Sequence, residues 1–157
     1  MKDVFLRDVL PEDLPIFFGH QQDPVAIEMV AFTFRDPQNW QLFEDHWRII
    51  LANPKNILKT ILYQGQVSGN VVSFVMDEKR EVGYWLGQEF WGKGIATASI
   101  KQFLQLIEER PLYAHVAQDN LASLKVLKNC GFGILGQQKT FSSYRNVEIS
   151  ETVLSFV

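Results

Sequence analysis

Residues 87–94 read GQEFWGKG, and the run IATASIKQFLQLIEER that follows has helical spacing. A glycine loop opening a helix is an anion site, because its backbone N–H groups converge and the helix start leaves further N–H groups free. Gly87 through Lys93 begins like the Walker A phosphate loop, but that motif needs Ser or Thr next to ligate Mg²⁺, and Gly94 stands there. A dinucleotide fingerprint needs a third Gly or Ala where Thr97 stands, within a leading βαβ unit. The reading that survives is a pyrophosphate held by main-chain amides without metal. Gly92 and Gly94 let the backbone approach, Lys93 adds charge, and small Ala96 keeps the first turn open. The plain alternative is a helix start that merely tolerates glycine.

The elements that must position this loop follow from periodicity. VFLRDV (residues 4–9) alternates as a first strand, and Pro11 and Gly19 bracket a helix. A second helix is expected around Val25–Val30. Asn39 caps a third that carries Trp40, Phe43, Trp47, Ile50 and Leu51 on one stripe. The period then changes to that of strands. ILKTILY and VSGNVVSFV flank a turn at Gln64-Gly65-Gln66, and EVGYWL follows DEKR, which makes an antiparallel meander. A helix from about Gly94 to Glu109 stops at Pro111. LYAHVA is a strand, and DNLASLKVLKNCGF is a helix with Asp119 or Asn120 as cap and Gly131 just past its end. GILGQQKTF and ETVLSF close the chain as strands. The expected order βααα-βββ-α-β-α-ββ describes one mixed α/β domain over residues 1–157, antiparallel early and locally parallel near the main helix.

Composition bounds the function. The chain has 157 residues, 46% hydrophobic and 21% charged, enough for a single packed core. A net charge of −3 gives no broad electrostatic case for nucleic acid. Cys130 is the single cysteine, so no intramolecular disulfide forms and a metal cluster is not expected. No signal-peptide pattern and no run of about 18 apolar residues is present, so the expectation is a cytoplasmic protein without membrane contact.

EVGYWLGQEFWGKGIATASI followed by DNLASLKVLKNCGF resembles the GNAT superfamily of acyl-CoA-dependent N-acetyltransferases. The motifs GYWL…WGKGIAT and N-x-x-S-x-x-V-L-x-x-x-GF look most like its RimJ/RimL type, which acetylates N-terminal amines of ribosomal proteins. The likeness runs from about Leu6 to Phe156 and is most specific over residues 81–132. Two departures stand out. The family's pyrophosphate signature has a basic or amide residue where this chain has Trp91 or, in the other register, Glu89. The tyrosine that many members use as acid to the departing thiolate is replaced by Leu127.

The resemblance implies an α+β fold with a mixed, mostly antiparallel central sheet, flanking helices, and strands that splay at an acetyl-CoA cleft. It implies acetyl-CoA as donor substrate without metal, and a primary amine as acceptor, either a small molecule or a protein N-terminus. Trp85, Leu86, Trp91, Gly92, Lys93, Gly94, Ala96, Thr97, Asn120 and Ser123 are then cofactor-binding. The Leu86 N–H is the choice for the thioester carbonyl, with backbone groups of Tyr84 and Trp85 beside it. Glu81 or His115 is the base, each matching a functional glutamate elsewhere in the superfamily, and His titrates in the useful range unaided. Ser123 serves the thiolate in place of the missing tyrosine. Asn120 doubles as pantetheine ligand and helix cap. Lys125 and Lys128 are within sequence reach of the nucleotide phosphate. Phe32, Phe34 and Arg35 are acceptor-side candidates by position, while His20, His46, Trp40 and Trp47 read as packing or surface residues. The rivals are a small-molecule or antibiotic N-acetyltransferase and a non-catalytic acyl-CoA sensor. A monomer or homodimer fits either.

Overall fold

The computed structural model describes residues 3–26 and 36–157. Seven strands form one sheet in the order β1-β2-β3-β4-β5-β7-β6. They are β1 (Val4–Asp8), β2 (Ile57–Tyr63), β3 (Gln66–Met76), β4 (Lys79–Leu86), β5 (Leu112–Ala117), β6 (Gly133–Ser142) and β7 (Val147–Phe156). Every neighbouring pair is antiparallel except β4 and β5. That exception follows from connectivity. A helix, α3 (Ile95–Leu104), separates β4 from β5, and a helical crossover returns the chain in parallel. The two early hairpins turn where the left-handed region is occupied: Gln64 and Gly65 in one (φ 52° and 78°), Asp77 and Glu78 in the other (φ 52° and 64°).

Helices cover both faces. On one face α3 and α4 (Leu121–Asn129) pack on the main core, which includes Val82, Leu86, Ile100, Phe103, Leu112 and Leu154. On the other, α1 (Leu14–His20) and α2 (Trp40–Ala52) close a smaller core around Leu14, Phe17, Phe43 and Trp47. Asn39 caps α2 as expected, accepting from the Leu42 N–H at 3.1 Å. The expected second helix lies largely outside the described residues, as do Phe32, Phe34 and Arg35.

Two expected elements differ in extent. The first helix begins as a single 3-10 turn at Pro11–Asp13 before α1 starts. There buried Asp13 accepts from the Leu10 N–H at 2.9 Å, from Thr60 at 2.7 Å and from Arg7 at 2.6 Å. The main helix ends at Leu104, five residues short of Glu109. Arg110 is the reason: its guanidinium donates to the carbonyls of Leu104 (3.3 Å) and Ile107 (2.6 Å), terminating the helix, while Ile107 turns into the core.

Candidate functional site: a cleft where two strands part

The cleft begins with a failure of pairing. β4 and β5 are partnered only at Arg80↔Leu112 and Glu81↔Tyr113, although both strands continue. From Val82 onward β4 therefore runs without a strand partner on that side among the described residues. The orientation of its backbone follows from register. The Gly87 N–H donates to the Ser68 carbonyl at 2.9 Å, so that facing pair is hydrogen-bonded. Bonded pairs alternate in an antiparallel ladder, so Asn70/Trp85 is the next, while Gly69/Leu86 and Val71/Tyr84 are not bonded to each other. The N–H and C=O groups of Tyr84 and Leu86 thus point away from β3, into the gap β5 has left. The indole N–H of Trp91 confirms the direction, because it donates to the Leu86 carbonyl at 2.8 Å. Gly69 permits this close approach: a Cβ there would fall inside the radius of the Trp85 carbonyl oxygen.

Trp91 accounts for the departure from the basic or amide residue of the signature. Its ring ties the loop to the end of β4, fixing where the glycines begin. Gly92 and Gly94 then take φ of 75° and 80°, which only glycine adopts without strain, and Gly94 is the residue preceding the first turn of α3. Trp91, Gly92, Gly94, Ala96 and Thr97 line a cavity of about 440 Å³. Across it stand Asn120, Ser123 and Lys125 of the α4 region, with Tyr84, Trp85 and Leu86 as the strand wall. Lys93 is not on this lining; its ammonium lies over the Tyr63 ring, 5.9 Å from the centroid. Lys128 is absent from the lining as well.

Asn120 accepts from the Ser123 N–H at 3.2 Å, so it caps α4 and lines the cavity at once. The Tyr84 hydroxyl donates to Ser123 Oγ at 3.2 Å. That bond is the residue relationship that sequence reasoning missed. With Leu127 buried in the core where the family tyrosine would be, a phenol from β4 reaches the serine instead. Burial pushes the Tyr84 hydroxyl above its ordinary range, against the opposing effect of Ser123, so it keeps its proton at neutral pH. Cys130 is buried against the Thr97 carbonyl (3.6 Å), and burial raises its thiol, so it is a packing residue and no thiolate.

The opposite sheet face carries a second group. Glu81, Gly83 and Trp85 alternate onto it from β4. His115 of β5 places Nε2 2.6 Å from Glu81 Oε1 and Nδ1 3.0 Å from Glu151 Oε1. Gln138 of β6 donates to the same Glu151 oxygen. Four adjacent strands thus contribute one polar cluster. Burial pushes the Glu81 carboxyl above the ordinary glutamate range, partly offset by His115, and its Oε2 is buried without a protein hydrogen bond. A second cavity, about 360 Å³, opens on this face between α1, α2 and the sheet. Both cavities are lined by Tyr84 and Trp85, so they meet where the strands part.

The family model described as an acetyltransferase (GNAT) domain matches residues 3–133. The chain belongs to the GNAT acetyltransferase family. The proposed ribosomal N-acetyltransferase YdaF of Bacillus subtilis (strain 168) is 36% identical over 61 residues, 37% of this chain and 33% of that protein. The aligned part thus spans about a third of that curated relative. Among solved structures, the microcin C7 self-immunity acetyltransferase MccE, in complex with acetyl-CoA and AMP, superposes with a TM-score of 0.83 at 20% identity, covering 100% of this chain and 93% of that one. RimL, a ribosomal L7/L12 alpha-N-protein acetyltransferase in complex with coenzyme A, superposes at 0.82 and 16% identity, covering 100% and 95%. At these identities the superpositions speak to fold, which is the GNAT fold expected.

Within this GNAT chain the expected site residues divide into two groups. Trp85, Leu86, Trp91, Gly92, Gly94, Ala96, Thr97, Asn120 and Ser123 converge on the 440 Å³ cavity. Glu81 and His115, offered as alternatives, form one hydrogen-bonded pair on the other face. His46 and Trp47 line the smaller cavity, so this early helix walls a cavity as well as packs. Among the described residues no group of three or more His, Cys, Asp or Glu side chains is placed to hold a metal ion, and no helix is long and apolar enough to cross a membrane.

Proposed function

We propose that the protein transfers an acetyl group from acetyl-CoA to a primary amine by direct attack within a ternary complex. One observation carries this reading: two cavities on opposite sheet faces meet at Tyr84 and Trp85, where β4 presents unshared backbone groups. A donor lying in one and an acceptor in the other would bring their reacting atoms together only there.

The chain's own groups suit each step. Main-chain amides from Trp91 to Thr97 hold the pyrophosphate, helped by the start of α3. Asn120 and the exposed β4 edge take the pantetheine arm. The Leu86 N–H, directed into the gap, donates to the thioester oxygen and stabilises the oxyanion formed as the amine attacks. The Glu81–His115 pair accepts the amine's proton. Glu81 stands five residues before Leu86, about 16 Å along a strand, so water relays the proton over Gly83, which puts no side chain in the way. Breaking the C–S bond releases a thiolate, to which Ser123 donates while accepting from Tyr84.

The RimJ/RimL-like motifs, together with the likeness to YdaF and RimL, favour an α-amine of a peptide or protein within this broad class. Titration calorimetry with coenzyme A tests the donor site, with Mg-ATP as the competing ligand. Release of free coenzyme A on mixing acetyl-CoA with amines tests turnover. Binding without turnover on any amine would identify a sensor; binding of Mg-ATP in place of coenzyme A would remove the reading altogether.

A further inference from the structure

We propose that the 360 Å³ cavity on the α1/α2 face takes an uncharged apolar or aromatic group carried by the acceptor amine, with Gly83 keeping open the path from that amine to the Glu81–His115 pair. The inference rests on the transferase reading above and names its acceptor class.

The walls set the class. Phe17, Phe43, Trp47 and Trp85 surround the space, with Phe17 and Trp47 ring centroids 5.2 Å apart and Phe43 and Trp47 6.1 Å apart. The remaining polar walls are neutral: Gln21 and Asn70 are amides, and burial lowers the His46 pKa, which keeps the ring uncharged at neutral pH. No carboxylate, lysine or arginine lines the cavity among the described residues. Against the described walls, a second ammonium or an acidic side chain entering here would lose its hydration without a counter-charge, whereas an apolar group gains by leaving water. The nearest carboxylate on this face of β4 is Glu81, beyond Gly83 and outside the cavity lining, where it takes the amine's proton through water and gives the tail no counter-charge. The volume is near the lower end of the range for small-molecule sites, which suits one ring or one aliphatic side chain.

Gly83 is the opening. It lies on this face between Trp85 and Glu81, and a Cβ built on it meets only Val72 Cγ2, at 3.8 Å, itself a wall of the cavity. Packing therefore does not demand glycine there, and its strand backbone accepts a side chain. What the glycine preserves is empty space between the cavity and the proton acceptor.

The chemistry has two sources, a free aralkylamine or a peptide whose first side chain is apolar, and one assay separates them. Steady-state kcat/KM is measured with the full chain and acetyl-CoA on 2-phenylethylamine, a short peptide beginning Phe-Ala, spermidine, and a short peptide beginning Asp-Ala. The expected result is at least a tenfold advantage of one or both phenyl-bearing acceptors over the other two, the better of them identifying the source. Gly83→Val should cut that kcat/KM at least tenfold while leaving coenzyme A affinity and Tm within error. Equal or faster turnover of spermidine or of the Asp-Ala peptide overturns the proposal, and so does undiminished activity in Gly83→Val. Failure to bind coenzyme A sinks the transferase reading and this one together, whereas acetyl transfer confined to charged acceptors sinks this one alone.

Discussion

His115 lies 2.6 Å from Glu81 through Nε2 and 3.0 Å from Glu151 through Nδ1, so one imidazole ring bridges two carboxylates from different strands. The two residues that sequence reasoning offered as competing bases are therefore in contact with each other and act at one place. Glu151, steadied by Gln138, holds the far nitrogen and orients the ring toward Glu81.

Removing the proposed proton acceptor should separate chemistry from binding. Glu81→Gln is expected to lower kcat by about 10²–10⁴-fold and to leave coenzyme A affinity unchanged by calorimetry. His115→Ala should lower kcat as well, and the double variant should cost less than the two losses combined because the residues act together. Retained kcat in both single variants would exclude the pair from catalysis.

The same group fixes a pH dependence. Burial raises the folded-state pKa of Glu81 above its unfolded value. Its contribution to stability is therefore complete below the ordinary glutamate pKa and is lost as pH rises through the folded value. Glu81→Gln should accordingly gain in Tm relative to the parent at neutral pH and above. The parent's kcat/KM should show an ascending limb above the ordinary glutamate range, and that limb should vanish in Glu81→Gln. Identical Tm-versus-pH curves for parent and variant would refute the sign.

Tyr84 should matter at the departing sulfur. Tyr84→Phe deletes the 3.2 Å bond to Ser123, an interaction worth about 1 kcal/mol, and several-fold in kcat is the expected loss with KM for acetyl-CoA preserved. Ser123→Ala should mask any further effect of Tyr84→Phe. Full additivity of the two would mean the pair does not act on one atom.

The loop should fail through its backbone. Gly94 has φ of 80°, where a Cβ costs about 1–2 kcal/mol, so Gly94→Ala should weaken coenzyme A binding roughly tenfold or more. Trp91→Phe removes the bond to the Leu86 carbonyl, worth about 1 kcal/mol, and should weaken binding less. Calorimetry with coenzyme A reads both.

Acid stability should depend on a pair that lines neither cavity. Burial pushes the Asp13 carboxyl up, but Arg7, the Leu10 N–H and Thr60 together hold it below the ordinary aspartate range. A depressed folded pKa adds stability above the unfolded value and loses it as pH falls through the folded one. Thermal melts should therefore show Tm dropping below about pH 4 more steeply in the parent than in Asp13→Ala. At neutral pH that variant should lose about 3–5 kcal/mol, since Arg7, Thr60 and the Leu10 N–H all lose their acceptor.

What the sequence by itself determined was local. The glycine loop before α3, the caps at Asn39 and Asn120, and the alternation that sends Gly83 and Trp85 to one face all depend on a few consecutive residues. So does the family likeness, carried by two short motifs. The tertiary structure alone decided which distant residues meet. Tyr84 and Ser123 are 39 positions apart, and His115 and Glu151 are 36. Leu104 ends its helix because Arg110 folds back on it, which no helical period records. The division has one physical reason. Dihedral preference and side-chain period act over a turn or a strand, but register between strands brought together from across the chain sets the geometry of the cleft, and with it the Glu81–His115 pair, the Tyr84–Ser123 bond and the second cavity.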